Sequence, residues 1–245
     1  MTPQLREVHL PLGPRAVPPS NRLAFWVVDL NDLPLGDIAD ERVGQGGGRS
    51  GRFRQQFILR LLLGSYLGCP GKEVHFNHGR SGKPRLIPSL AETTNLTFNV
   101  SHSRDWMAVT IGRELEVGVD IEVRREMPRA AALATRFLSV PEAGRVSGLD
   151  EPARSDKFLT LWTRREALVK AMGSSIFTCL KQIQLDPDNG KIVELPSGWP
   201  CHRSWSLTVP GLPDVLTGAV AAPSSGVEVE SFLLNCKVSS SGPRV

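Results

Sequence analysis

The 245-residue sequence is short of the features that usually announce a cofactor or a compartment. Its four cysteines, Cys69, Cys179, Cys201 and Cys236, lie far apart and form no CxxC or zinc-ligand spacing. A chain of this length buries its own core, so scattered cysteines read as reduced thiols; a disulfide scaffold and a structural zinc module are excluded. No apolar run approaches the ~20 residues of a membrane-spanning helix. The strongest, Leu23–Val28 and Phe57–Leu67, are short, and Arg60 interrupts the second. Residues 1–20 lack the charged start and apolar run of a signal peptide, so the expected location is cytoplasmic, with no membrane partner. There is no GxGxxG, Walker loop or GxSxG elbow, which leaves dinucleotide, P-loop and triad-hydrolase chemistry without support.

Acid is missing from one stretch. Between Arg42 and Lys72 the chain carries Arg49, Arg52, Arg54 and Arg60 and no Asp or Glu, although the net charge is only +4. Such a block suits a polyanion, a nucleotide phosphate or an acidic protein face; it equally suits a solvated helix surface.

What is present reads as α+β. Residues 1–21, rich in proline, are expected to form a loose N-terminal arm. Leu23–Leu30 is a buried strand by its β-branched and aromatic content. Gly46–Gly48, Ser50 and Gly51 read as a flexible loop, and Arg52–Leu67 as a helix. Strands are expected at Val74–Phe76, Leu96–Val100, Met107–Ile111 and Val117–Ile121, and helices at Pro128–Phe137 and Asp156–Met172. Further strands are expected at Ile183–Leu185, Ile192–Leu195, Trp205–Val209, Val215–Val220 and Val227–Leu234, then a disordered tail at 238–245. The order repeats coarsely, giving two similar α+β halves, 22–115 and 116–237.

Chemistry concentrates in three places. In Gly118-Val119-Asp120-Ile121-Glu122, alternate side chains of a strand share a face, so Asp120 and Glu122 stand side by side. Their mutual repulsion is relieved by a hard divalent cation, Mg²⁺ especially, or by water if that face is simply wet. In Trp162-Thr163-Arg164-Arg165-Glu166-Ala167-Leu168-Val169-Lys170, the spacing of four puts Trp162, Glu166 and Lys170 on one helix stripe. That stripe is either a surface Glu–Lys pair or a third carboxylate with a phosphate-binding lysine one turn away. In Phe98-Asn99-Val100-Ser101-His102-Ser103, Ser101 and His102 face opposite sides of a strand and cannot act as nucleophile and base. At a strand end they make an anion-binding corner.

The ordered set GKP (Gly82–Pro84), FNVSHS, GVDIE and WTRREALVK resembles the Sfp-type 4'-phosphopantetheinyl transferases over about residues 22–235. The resemblance implies a monomer of two similar halves with coenzyme A and Mg²⁺ in the cleft between them. Asp120, Glu122 and Glu166 would hold Mg²⁺, Glu166 would also be the base, and Lys170 would contact the phosphates. Lys83, Ser101 and His102 match nucleotide-binding positions. Arg165, where the family usually has lysine, keeps a positive charge for phosphate but cannot shuttle a proton. Arg52 and Arg54 are candidates for further nucleotide contacts. The implied acceptor is a serine of an acidic acyl or peptidyl carrier protein. A Mg²⁺-dependent phosphohydrolase, a basic nucleic-acid-binding module and an inactive binding relative are the rival readings, and the first two leave part of this pattern unexplained.

Overall fold

The computed structural model describes residues 4–33, 47–78, 83–173 and 179–237. Twelve strands are described: β1 (Leu5–His9), β2 (Arg22–Asp29), β3 (Phe76–His78), β4 (Pro84–Leu86), β5 (Leu96–Ser103), β6 (Trp106–Arg113), β7 (Gly118–Val123), β8 (Gln184–Leu185), β9 (Ile192–Glu194), β10 (Ser206–Thr208), β11 (Leu216–Ala222) and β12 (Glu228–Asn235). The helices are α1 (Gly47–Leu67), α2 (Pro88–Thr94), α3 (Ala130–Phe137), α4 (Val140–Ser147) and α5 (Ala153–Met172). This is the expected α+β composition.

The near-continuous apolar run of β2 reflects burial on both faces. In a five-stranded sheet of order β1-β12-β2-β6-β5, alternate residues Ala24, Trp26 and Val28 pack under α1 with Ile58, Leu62 and Leu63. Leu23, Phe25 and Val27 face the other way and meet Val119 and Ile121 of β7 and Val220 of β11, from a three-stranded sheet of order β10-β11-β7. Behind that second sheet, Ala219 and Ala221 pack with Leu161, Leu168 and Val169 of α5. The layers therefore run helix, sheet, sheet, helix. Residues of β7 alternate between the inter-sheet core and α5.

Several elements differ from the expectations; strand β4 and helix α2 lie where none is expected, and β3 sits two residues later than Val74–Phe76. The N-terminal arm carries β1, which pairs in parallel with β12 in the register Leu5↔Ser231; no local periodicity announces so distant a pairing. Strand β12, assigned by the sequence to the second half, crosses back and lies between β1 and β2 of the first sheet. The helix expected from Arg52 begins at Gly47, inside the supposed glycine loop. Helix α4 lies where no element is expected from the sequence; Ser139 and Glu142 form a capping box that starts it, with Pro141 in its first turn. Gly82 and the tail at 238–245 lie outside the described residues.

Candidate active site

The site begins with one glycine. Helix α5 lies so close on β7 at Gly118 that a Cβ there would run into the Ala167 carbonyl and the Ala171 nitrogen. That approach brings the helix stripe onto the face of β7 that carries Asp120 and Glu122. Asp120 is buried, and its Oδ1 accepts from Lys170 Nζ at 2.7 Å and from Ser101 Oγ at 2.8 Å. Glu122 Oε2 accepts from Ser103 Oγ at 2.6 Å and from Arg125 at 2.8 Å. Among the described residues the hydrogen bonds to Asp120 all end on Oδ1 and those to Glu122 all on Oε2, so Oδ2 and Oε1 carry none.

Glu166 completes the cluster at 5% exposure. Its carboxyl is pushed up to about 7 by burial first, and then by the neighbouring Asp120 and Glu122, against the pull of Lys170. Burial likewise pushes Asp120 up, opposed by Lys170 and Ser101. Three carboxyl groups thus sit in one another's field with a single ammonium among them. That is the donor chemistry of a hard divalent cation. The groups are not drawn in to ligating distance: among the described residues no three acidic, His or Cys side chains enclose a metal position. Lys170 takes one oxygen of Asp120 and Arg125 one of Glu122, while the second oxygens meet no hydrogen-bond partner among the described residues.

The other expected residues are distributed differently. Ser101 joins the cluster. His102 is exposed and stands on the opposite face of β5, as strand alternation requires, away from the carboxylates. Lys83 reaches the C-terminal end of α5 but spends its ammonium there, on Glu116 at 3.1 Å, on the Val117 carbonyl at 3.1 Å and on the Lys170 carbonyl at 3.2 Å. Burial holds that ammonium below its ordinary range, against the opposing pull of Glu116. Arg52 is exposed and Arg54 half-buried on α1, and no hydrogen bond among the described residues ties either to the cluster. Trp162 continues the stripe into apolar packing, 5.6 Å from Phe137 and 5.9 Å from Phe158 between ring centroids.

Arg165 is the correction. It precedes Glu166 in sequence, yet on a helix that step turns it about 100° away from β7. Its side chain is 0% exposed, paired with Glu142 of α4, and donates to the carbonyls of Leu180 at 3.3 Å and Ile183 at 3.0 Å. A phosphate is out of its reach; it clamps α5 to α4 and to the segment before β8. Asn99, Ser103 and Arg125 bond to β7, and Glu142 to Arg165; the sequence reading passed over all four. The polar alternation Asn99, Ser101, Ser103 was the available signal for two of them.

A sequence profile of the 4'-phosphopantetheinyl transferase superfamily matches residues 116–209, which hold β7, α5 and all three carboxylates. The AcpT 4'-phosphopantetheinyl transferase of Escherichia coli K12 is 34% identical over 61% of this chain and 71% of its own length. The chain belongs to the 4'-phosphopantetheinyl transferase family. HetI of Nostoc, another 4'-phosphopantetheinyl transferase, is 29% identical over 80% of this chain and 87% of that protein. The Sfp enzyme of Bacillus subtilis is 30% identical over 63% of this chain and 67% of its own length. With slr0495 of Synechocystis, 34% identical, the match spans 64% of the relative, a little under two thirds. In this transferase family member, no helix among the described residues is long and apolar enough to cross a membrane.

Proposed function

We propose that this protein is an Sfp-type transferase that moves the 4'-phosphopantetheine arm of coenzyme A onto a serine of an apo carrier protein. The observation that carries the reading is the gathering of Asp120, Glu122, Glu166 and Lys170 between β7 and α5, in a chain whose relatives are named for this reaction. The serine oxygen attacks the β-phosphorus, the bond from that phosphorus to the bridging oxygen breaks, and adenosine 3',5'-bisphosphate leaves.

Glu166, whose carboxyl is raised to about 7 in the metal-free chain by burial and by the neighbouring Asp120 and Glu122, is the group that takes the hydroxyl proton. Asp120, Glu122 and Glu166 are the residues that would hold Mg²⁺, and the open oxygens of Asp120 and Glu122 suit it. The ion, when bound, supplies positive charge against the pyrophosphate. Lys170, with a quarter of its side chain exposed, turns from Asp120 toward phosphate oxygen. Arg125, beside Glu122, adds a second cation that the sequence did not single out. The acid-poor stretch from Arg42 to Lys72 suits an acidic carrier protein.

Intact mass of an apo carrier protein, incubated with this protein and coenzyme A with either Mg²⁺ or EDTA, tests the reading. The expected result is a gain of one phosphopantetheine arm with metal only. Release of adenosine bisphosphate without carrier modification would replace the transferase reading with a hydrolase.

A further inference from the structure

Strand β7 is an edge. It pairs on one side with β11, in the register Val119↔Val220, Ile121↔Gly218 and Val123↔Leu216, and among the described residues no strand pairs with its other side. Alternate N–H groups of an antiparallel edge strand point away from its partner and, when buried, need acceptors. Here the acceptors are side chains of β5, itself the edge of the other sheet. Val119 N donates to Asn99 Oδ1 at 2.9 Å, Ile121 N to Ser101 Oγ at 3.3 Å and Val123 N to Ser103 Oγ at 3.0 Å. Thr97, one step earlier on the same face, donates to the Leu115 carbonyl at 2.5 Å.

A backbone partner strand would satisfy those N–H groups and do nothing more. A hydroxyl accepts and donates at once. Because Ser101 and Ser103 receive a backbone N–H, their own protons are directed onward to Asp120 Oδ1 and Glu122 Oε2. Each serine therefore ties a carboxylate to the backbone of the residue that follows it in β7. Each also occupies one oxygen and leaves the other without a partner among the described residues. Asn99 differs: it accepts from Val119 and, among the described residues, hydrogen-bonds to no carboxylate.

We propose that Ser103 is a positioning residue for Glu122, and Ser101 for Asp120, the two hydroxyls holding the carboxylates with one free oxygen each for a divalent cation. The inference deepens the proposed function and rests on its reading of the cation site. Asn99 provides the control, since its loss removes a rung of the same seam without touching an acid.

The experiment is calorimetric titration of Mg²⁺ alone into the full chain without coenzyme A, for wild type, Ser103→Ala, Ser103→Thr and Asn99→Ala, with thermal melting of each. Wild type is expected to bind. Ser103→Ala should weaken binding about tenfold or more, the usual effect of removing a partner of a metal ligand. Ser103→Thr, which keeps the hydroxyl, should bind more tightly than Ser103→Ala. Asn99→Ala should lower the melting temperature while leaving the Mg²⁺ affinity unchanged. Unchanged affinity in Ser103→Ala overturns the inference. Equal weakening in Asn99→Ala and Ser103→Ala also overturns it, because the seam as a whole and not the hydroxyl would then be responsible. No binding by wild type overturns the cation site itself and the inference with it.

Discussion

Replacing Glu142 by alanine strands a guanidinium with no route to water. Both side chains of the Glu142–Arg165 pair are 0% exposed. The remaining donors of Arg165 are engaged with carbonyls of Leu161, Leu180 and Ile183, on two segments, so the side chain cannot swing out as a unit. Removing one partner of a buried ion pair costs about 3–5 kcal/mol. The capping box of α4 is lost in the same change, since Glu142 also accepts from the Ser139 amide and hydroxyl; that adds about 1 kcal/mol. In a chain of this size each kcal/mol moves the melting temperature by roughly 2–4 °C, so Glu142→Ala should melt on the order of 10–20 °C lower. The double variant Glu142→Leu/Arg165→Met, which removes both charges together, should recover much of that loss. Arg165→Lys should fall between, because one ammonium nitrogen cannot span carbonyls on separate segments. Differential scanning calorimetry of wild type, Glu142→Leu, Arg165→Met and the double variant closes the cycle and gives the coupling directly. A shift of less than about 3 °C in Glu142→Ala, or strict additivity in the double variant, would refute the clamp. Arg165 would then be free to serve the phosphate, as the motif resemblance implied.

Asp120→Ala should abolish carrier modification with little change in melting temperature. The Lys170 ammonium left behind is partly exposed and can turn to solvent; a loss as large as that of Glu142→Ala would mark Asp120 as structural. Glu166 makes stability depend on pH. Its carboxyl stands near 7 when folded against 4.5 when unfolded, so the folded state binds the extra proton between those values. Stability should therefore fall as pH rises from about 4.5 to about 7, by ~3 kcal/mol at most, and Glu166→Gln should flatten that slope in urea titrations; an unchanged slope contradicts the burial of this acid. Gly118→Ala should force α5 off β7, lowering the melting temperature and cutting turnover at least about tenfold; an unaffected enzyme would disprove the close approach.

Local pattern reached far in this chain. Alternation along Gly118–Val123 placed Asp120 and Glu122 on one face, and the spacing of four placed Glu166 and Lys170 on one stripe; both are consequences of fixed backbone periods. The same alternation separated His102 from Ser101. The strands around the site were legible because their β-branched and apolar runs are buried on both faces. What the local pattern did not hold was the partner of each element. Nothing in Leu5–His9 or Glu228–Asn235 names the other, and that parallel pairing carries the last strand back into the first sheet. Nor does the sequence of α5 say which way Arg165 turns, because that depends on the buried carboxylate of Glu142 in another helix. Lys83 likewise was readable as a cation but not as one committed to Glu116 and two carbonyls. Sequence determined which side chains share one strand face or one helix stripe, through short-range periodicity. Tertiary structure decided which charges meet carboxylates, which meet carbonyls and which stay free, because that depends on distant segments brought together only by packing.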